Sequence, residues 1–340
     1  MRALVIGGTG TISRALVRSL RERGADVTVY NRGIRQAVLP EGVEYITGDR
    51  TDRAAFEAAM RDREFDVVYD VIAFFPDDTE SALRAFRGNV GHFIHLSTVM
   101  TYGPPFDGDG VGLDETSPLN GEHGYGSGKT ACDKLLFQAA HDDGFPATIV
   151  KPSLTFGEGR FLLRQADWWP GWVQRLREGR EIISAGDGTS LFQYLPAKGM
   201  GEALASMAGR KESFGEIYNV VNPKAMSWDS WIRTVASVVG VEAKLVHIPR
   251  DVLVAANPER FSKLDDFFAH VQVFSAAKLQ ALLPDWQPTS LPEAIQGALD
   301  WMDENLPMSA SSSEAWWLEE DKLIDAMKEF TGGLKTQVSG

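Results

Sequence analysis

A chain of 340 residues, 44% hydrophobic and 24% charged, can bury a large core and a smaller lobe. Its net charge of −13, with no offsetting basic patch, argues against a nucleic-acid partner. One cysteine, Cys132, excludes an intrachain disulfide and fits a reducing compartment; with no leader-like start and no apolar run of the ~20 residues a membrane span needs, a cytoplasmic protein without a membrane partner is expected.

In chain order, residues 2 to 7 read as a short buried strand. Residues 11 to 24 read as a helix with Ile12, Ala15, Leu16 and Leu20 on one face, stopped by Gly24. Between them runs Gly7-Gly8-Thr9-Gly10-Thr11-Ile12-Ser13. A helix N-terminus leaves amide N–H groups unpaired and carries a partial positive charge, which makes this stretch a cradle for a dinucleotide pyrophosphate. Gly7 and Gly10 allow the tight turn and a close approach, and Thr11 and Ile12 open the helix. Ser13 stands where many such sites place a third, helix-packing glycine. Alone, the fragment also suits any tight turn.

Residues 26 to 31 form the next strand, whose end selects the cofactor. A site for NAD usually has a carboxylate there for the ribose hydroxyls. This chain has Asn31-Arg32, with Arg35 nearby, and a guanidinium grips a 2′-phosphate, so NADP is favoured over NAD. A third strand at 43 to 47 leads to Asp49, placed to accept from an adenine amino group, and to Arg50, grouped with the cofactor contacts. Helix 53 to 63 precedes strand 66 to 73, where Ile72, Ala73 and Phe74 wall the cofactor pocket. Helix 78 to 87 precedes strand 92 to 97, which ends at Ser97-Thr98. Helix 125 to 143 opens with Tyr125-Gly126-Ser127-Gly128-Lys129, a phenol and an ammonium one turn apart on one face. Strand 147 to 151 runs into Pro152. This alternation predicts an α/β fold, a Rossmann-type doubly wound parallel sheet with its ligand at the carboxyl ends of the strands.

After residue 152 the rhythm breaks. The chain divides into a dinucleotide-binding domain over 1–155, with a returning strand near 215–222, and an interleaved substrate lobe over 156–306. Residues 307–340 read as linker, appended amphipathic helix and frayed tail. In that helix Trp316, Trp317, Leu323, Ile324, Met327 and Phe330 share one face. Trp168, Trp169 and Trp172, beside Arg160, Arg164 and Gln165, serve either as lobe core or as substrate wall. His123 is either a substrate contact or a surface loop residue. The histidines show no metal-ligand spacing, so no metal is expected.

Taken together, Gly7-x-x-Gly10, Ser97-Thr98-Val-Met-Thr-Tyr102-Gly103 and Tyr125-x-x-x-Lys129 resemble the extended short-chain dehydrogenase/reductase superfamily, in its epimerase/dehydratase branch, over roughly residues 1 to 305. The resemblance implies that Tyr125 is the general acid/base and that Thr98 hydrogen-bonds the reacting oxygen. It implies that Lys129 binds the nicotinamide ribose and depresses the tyrosine pKa. The chemistry agrees: a free phenol titrates near ~10, and lowering it by ~2 to 3 units takes ~3 to 4 kcal/mol of differential stabilisation.

Sugar-nucleotide epimerases of that superfamily hold the substrate diphosphate with an asparagine after the sixth strand and an arginine in the lobe. Here Lys151-Pro-Ser153-Leu-Thr155-Phe-Gly157 has no asparagine, and Phe192 stands about where the arginine should be. The His-Val-x-Asp signature is also missing, which disfavours a nucleoside-diphosphate sugar. Ser153, Thr155, Trp168, Trp169, Phe192 and His123 are the candidate substrate residues. The segments Tyr30-Asn-Arg-Gly33, Gly48-Asp-Arg50, Ser227-Trp-Asp-Ser-Trp231, His247-Ile-Pro249 and Leu283-Pro-Asp-Trp286 are similar to an atypical branch that includes chloroplast stem-loop-binding relatives.

The expected activity is an NAD(P)-dependent oxidoreductase or epimerase acting at a secondary alcohol or ketone carbon of a small carbohydrate-like metabolite. The alternatives are an NADPH-dependent reductase of an aromatic or apolar ketone, and a non-catalytic dinucleotide- or RNA-binding protein. The resemblance also implies a homodimer through the helix after the fourth strand and the Tyr125 helix, with Leu83, Phe86, Leu135, Leu136 and Phe137 as apolar surface.

Overall fold

The computed structural model describes residues 1–34, 37–104, 111–121, 124–306 and 310–338, and the chain resolves into two compact units. The first comprises Met1–Gly159, Gln193–Lys224 and Val273–Ser290. Its centre is a seven-stranded parallel sheet. In chain order the strands are β1 (Arg2–Ile6), β2 (Asp26–Asn31), β3 (Glu44–Thr47), β4 (Val67–Asp70), β5 (Phe93–Leu96), β6 (Ala147–Pro152) and β7 (Ile217–Val220). Their spatial order is β7-β6-β5-β4-β1-β2-β3. Both faces are covered, which is why β1, β4, β5 and β6 read as continuous apolar runs rather than alternating ones.

On one face, Leu16, Val17 and Leu20 of helix α1 (Thr11–Glu22) pack with Ala3 and Val5 of β1. Met200, Ala203 and Leu204 of a later helix, Ala197–Met207, share that cluster. On the other face lie α2 (Arg53–Met60), α3 (Pro76–Phe86) and α4 (Gly124–Asp143), whose Phe56, Met60, Phe86 and Leu136 bury against Leu4, Ile6, Val68 and Phe93. Each such side chain contributes ~1.5–3 kcal/mol of burial. Phe86 and Leu136 are therefore core residues, not the apolar surface expected of them. On the same two helices Leu83 and Leu135 are partly buried and Phe137 is exposed. Register brings the strand ends level: Ile6 pairs with Tyr30 and Asp70, Asp70 with His95, and Leu96 with Val150.

The second unit comprises Arg160–Phe192, Ala225–Gln272 and the chain from Leu291 onward. A parallel pair, Glu181–Ala185 with Lys244–Ile248, packs with helix Ala310–Val338, and its first strand also with helix Trp172–Arg177. Its core is aromatic: Phe192 stacks on Trp228 at 3.7 Å, and Trp172 and Trp231 are fully buried. The last helix runs on to Val338, through residues expected to form a frayed tail. Trp317 and Ile324 are buried and Phe330 is exposed. Glu320, fully buried on the same helix, receives both terminal nitrogens of Arg164 at 2.7 Å and Arg260 at 3.1 Å.

Candidate functional site

The candidate cradle follows β1. Gly7 has φ +90° and its amide donates to the carbonyl of Tyr30; a Cβ there would lie 2.4 Å from Ile72. Thr11 and Ile12 form the first turn of α1, capped by Gly10 without any side-chain hydrogen bond. That leaves the first amides of the helix open to an anion. Around Gly10 a Cβ would meet nothing nearer than the hydroxyl of Ser13 at 3.7 Å. Ser13 is fully buried and its Oγ donates to the Gly7 carbonyl at 2.7 Å, so it fastens the loop instead of thinning the helix contact as glycine would. The cradle thus has the shape and donor set for a pyrophosphate.

At the end of β2, Asn31 Oδ1 accepts from the Gly33 amide at 2.8 Å, and Arg32 is exposed. Arg35 lies outside the described residues. Asp49, exposed past β3, accepts from the amide and hydroxyl of Thr51, bonds that hold its carboxyl below the usual range. Arg50 departs from expectation. It is 4% exposed, with Nη2 on Asp70 Oδ2 at 2.7 Å and on the Asp78 carbonyl at 2.6 Å. The two buried carboxylates that neutralise this guanidinium draw it inward, away from a nucleotide. Asp78 also accepts from the amides of Phe74 and Phe75 at 2.9 and 3.2 Å, so the network fixes the loop after β4. In that loop Ile72 is partly buried, Ala73 buried and Phe74 40% exposed.

After β5, Ser97 Oγ donates to Asp133 Oδ2 at 2.8 Å. Thr98 Oγ1 accepts from the Met100 amide at 3.2 Å and caps a single 3-10 turn, Val99–Tyr102. That bond uses a lone pair of the hydroxyl and not its proton.

The first turn of α4 lies against the loops that follow β4 and β5. A Cβ on Gly126 would stand 2.8 Å from the Met100 carbonyl oxygen, and one on Gly128 2.5 Å from that of Phe74. Only glycine permits this approach, which brings Tyr125 and Lys129 to the same sheet edge as Thr98. Tyr125 is 51% exposed, with its ring centroid 6.2 Å from that of Phe74. Lys129 is 1% exposed; Nζ donates to the Leu96 carbonyl at 2.5 Å and lies 5.0 Å from the Phe74 centroid. Burial pushes the Lys129 ammonium below its usual value, opposed by Asp70 and then by Cys132 and Asp133.

Pro152 ends β6, buried; Ser153 is partly buried and Thr155 is 4% exposed, paired with Leu195. Of the remaining candidates, Trp168, Trp169 and Phe192 belong to the second unit. Phe192 is fully buried, and Trp169, 8% exposed, stacks on Trp316 at 5.5 Å. Both are core there: Phe192 does not form the substrate surface expected, and Trp169 takes the lobe-core alternative and not that of a substrate wall. Trp168 stays 47% exposed, with the Arg160 guanidinium 5.6 Å from its ring. His123 lies outside the described residues.

Sequence reading missed the polar residues beneath this edge: Asp70, Asp78, His95, Asp133 and Lys151. One signal was present, since Asp133 continues the four-residue spacing from Tyr125 to Lys129. No group of potential metal ligands occurs among the described residues, and no helix among them is long and apolar enough to cross a membrane.

Comparison with known proteins gives a consistent picture. The profile of the NAD dependent epimerase/dehydratase family matches residues 3–221. The chain is 26% identical to a 2′-dehydrokanamycin reductase of Streptomyces kanamyceticus, over 89% of this chain and 84% of that protein. It is 22% identical to a chloroplast stem-loop binding protein of 41 kDa from Arabidopsis thaliana, over 95% and 84%. Among solved structures, a dTDP-glucose 4,6-dehydratase from Bacillus anthracis in complex with NAD superposes with TM-score 0.70 at 16% identity, covering 90% of this chain and 98% of that one.

Proposed function

Because the chain belongs to the NAD dependent epimerase/dehydratase family, we propose that it is an NAD(P)-dependent enzyme interconverting a secondary alcohol and a ketone on a small polyhydroxylated metabolite. The observation that supports this reading is the approach of Gly126 and Gly128 to the Met100 and Phe74 carbonyls, which packs the first turn of α4, with Tyr125 and Lys129, against the turn that Thr98 caps. In this reading Gly7, Gly10, Thr11 and Ile12 hold the pyrophosphate, and Asp49 takes the adenine amino group. Ile72, Ala73, Phe74, Ser97 and Pro152 line the remainder. A bound nicotinamide supplies or accepts the hydride.

The chain's own residues handle the proton. Tyr125, half exposed, moves it to or from the substrate oxygen. Thr98, whose hydroxyl proton is not used in its bond to Met100, donates to the same oxygen. Lys129, held at the end of β5 by the Leu96 carbonyl, stabilises the phenolate electrostatically. Fixing these groups on rigid elements provides the orientation that a bimolecular reaction lacks.

NADP is preferred to NAD in this reading, because Asn31 replaces a carboxylate at the end of β2 and the exposed Arg32 follows it. A net reductase is the favoured form of the activity, supported by the likeness to a 2′-dehydrokanamycin reductase over 89% of the chain. A homodimer through α3 and α4 belongs to the same reading, with Phe137, 44% exposed, as the apolar contact. A monomeric mass by light scattering would remove that part.

The test is to denature freshly purified protein and identify any released nucleotide by mass spectrometry, beside the Tyr125→Phe variant. A tightly held NAD or NADP supports an internal redox cycle, as an epimerase or dehydratase requires. Reversible binding of NADPH supports the reductase. A folded protein that binds neither overturns the proposal.

A further inference from the structure

Beneath the candidate site lies a polar cluster that neither the cradle nor the proton-handling residues account for. Asp133 is four residues after Lys129 and eight after Tyr125, on the same face of α4. It is 2% exposed. One carboxylate oxygen accepts from Ser97 Oγ at 2.8 Å and faces Lys151 Nζ at 3.4 Å; the other lies 3.6 Å from Nε2 of the fully buried His95. Lys151, 1% exposed, also sits 4.5 Å from the ring of Tyr102, whose hydroxyl donates to Asn219 on β7 at 2.8 Å. A single carboxylate thus ties the helix face carrying Tyr125 and Lys129 to the ends of β5 and β6, through the residue next to Thr98.

A buried ion pair is a poor source of stability, because desolvation of both ions offsets their attraction and an apolar pair of equal volume does as well. Its value here lies in its field and its register. We propose that Asp133, with Lys151 as counter-ion, is a positioning residue that sets the charge balance under Tyr125 and Lys129. This inference rests on the acid/base role proposed for Tyr125. The other charged groups facing the cluster are Asp70 at the end of β4, Asp78 on α3, Arg50 after β3 and Glu115 beyond Lys151; the Cys132 thiol on α4 also faces it, its pKa raised by burial. His95 stays neutral, its pKa pushed well below the usual value by burial and by Lys129, Arg50 and Lys151.

Removing the anion favours loss of a proton from both Tyr125 and Lys129, whereas removing the cation disfavours it. Asp133→Asn is therefore expected to lower the Tyr125 pKa by about 0.5–1 unit and Lys151→Met to raise it by about as much. The readout is the phenolate absorbance of each protein minus that of its Tyr125→Phe counterpart, which needs no turnover, together with the pH profile of kcat. Opposite shifts in these directions support the proposal; reversed shifts, shifts of the same sign, or none in folded protein, overturn it. Should a single variant fail to fold, the double variant Asp133→Ala/Lys151→Met leaves no unpaired buried charge and removes the acceptor of Ser97. The proposal expects that variant to fold and to lose at least about tenfold in kcat as Ser97 is released, and wild-type kcat there overturns it. Full turnover by Tyr125→Phe would instead refute the acid/base reading, while the titration still reports whether Asp133 acts on Tyr125.

Discussion

The Lys129 ammonium donates to the main-chain carbonyl of Leu96 at 2.5 Å, buried where β5 ends. Four residues earlier on α4, Tyr125 is half exposed. One residue of the pair is buried and the other half exposed, so the two should respond differently to substitution. Tyr125→Phe is expected to change stability by less than about 0.5 kcal/mol and to leave dinucleotide affinity near wild type. Turnover should fall by about 10²–10⁴-fold. Lys129→Met should lower both turnover and stability, because the Leu96 carbonyl then loses its buried donor. Steady-state rates beside thermal melts distinguish the two patterns.

Gly128→Ala and Gly10→Ala should separate folding from binding. The added methyl at Gly128 meets the Phe74 carbonyl at 2.5 Å, so α4 must shift. A loss of about 1–3 kcal/mol and most of the activity is expected. At Gly10 the nearest atom is 3.7 Å away. That variant should melt close to wild type but bind dinucleotide more weakly, since the methyl enters the space before α1. Equal effects in calorimetry and in a binding titration would contradict this division.

Arg32→Ala should weaken NADP by about tenfold, the equivalent of one charge-assisted contact, and leave NAD unchanged. Fluorescence titration with both reduced cofactors measures the ratio. An equal loss for both would remove Arg32 from the 2′-phosphate assignment.

Stability should fall as the pH drops below about 6.5. His92 is fully buried; Nδ1 accepts from the Gly209 amide at 3.1 Å and Nε2 faces Thr148 Oγ1 at 2.8 Å. The Thr148 hydroxyl in turn donates to the Ser213 carbonyl at 2.6 Å, so the neutral Nε2–H tautomer satisfies every partner. Burial lowers the folded-state pKa from 6.5 to about 4. The unfolded chain therefore binds the proton first, and the stability supplied by neutral His92 is complete above 6.5 and lost progressively toward 4. By pH 5 the loss is about 2 kcal/mol. The buried His95 adds a loss of the same sign. Urea midpoints at pH 7 and 5 should differ less in His92→Gln than in wild type.

Glu320→Ala should cost about 3–5 kcal/mol. The variant leaves Arg164, Arg175 and Arg260, each nearly fully buried, without the carboxylate they face at 2.7, 3.6 and 3.1 Å. Burial would raise the Glu320 pKa, but Arg164 and then Arg175 override this and hold it below its usual value. A melt unchanged by the substitution would show that the last helix is only appended.

Much of the sheet and of the candidate site's chemistry was legible in the sequence, because both are local. A buried parallel strand is a short apolar run between turn residues, and an amphipathic helix repeats its apolar face. Hence β1 to β6 and the helices between them appear in the sequence near their observed positions, and Glu216–Val221 was recognisable as a strand returning to the sheet. The tight turn at Gly7 and the spacing from Tyr125 to Lys129 are likewise written in consecutive residues.

Tertiary contact alone decided which polar side chains stay open to solvent and which face each other. Arg50 sits in a segment that suggested a nucleotide contact, yet Asp70 and Asp78, 20 and 28 residues later, draw it inside. Phe192 suggested a substrate wall and is sealed by Trp228. Glu320 lies on a helix whose apolar face alone was visible in the sequence, and it is held by arginines as far as 156 residues away. Burying a charge costs several kcal/mol unless a partner arrives with it. That partner comes from whichever segment the fold brings near, so its identity is set by three-dimensional proximity and leaves no mark at either position in the chain.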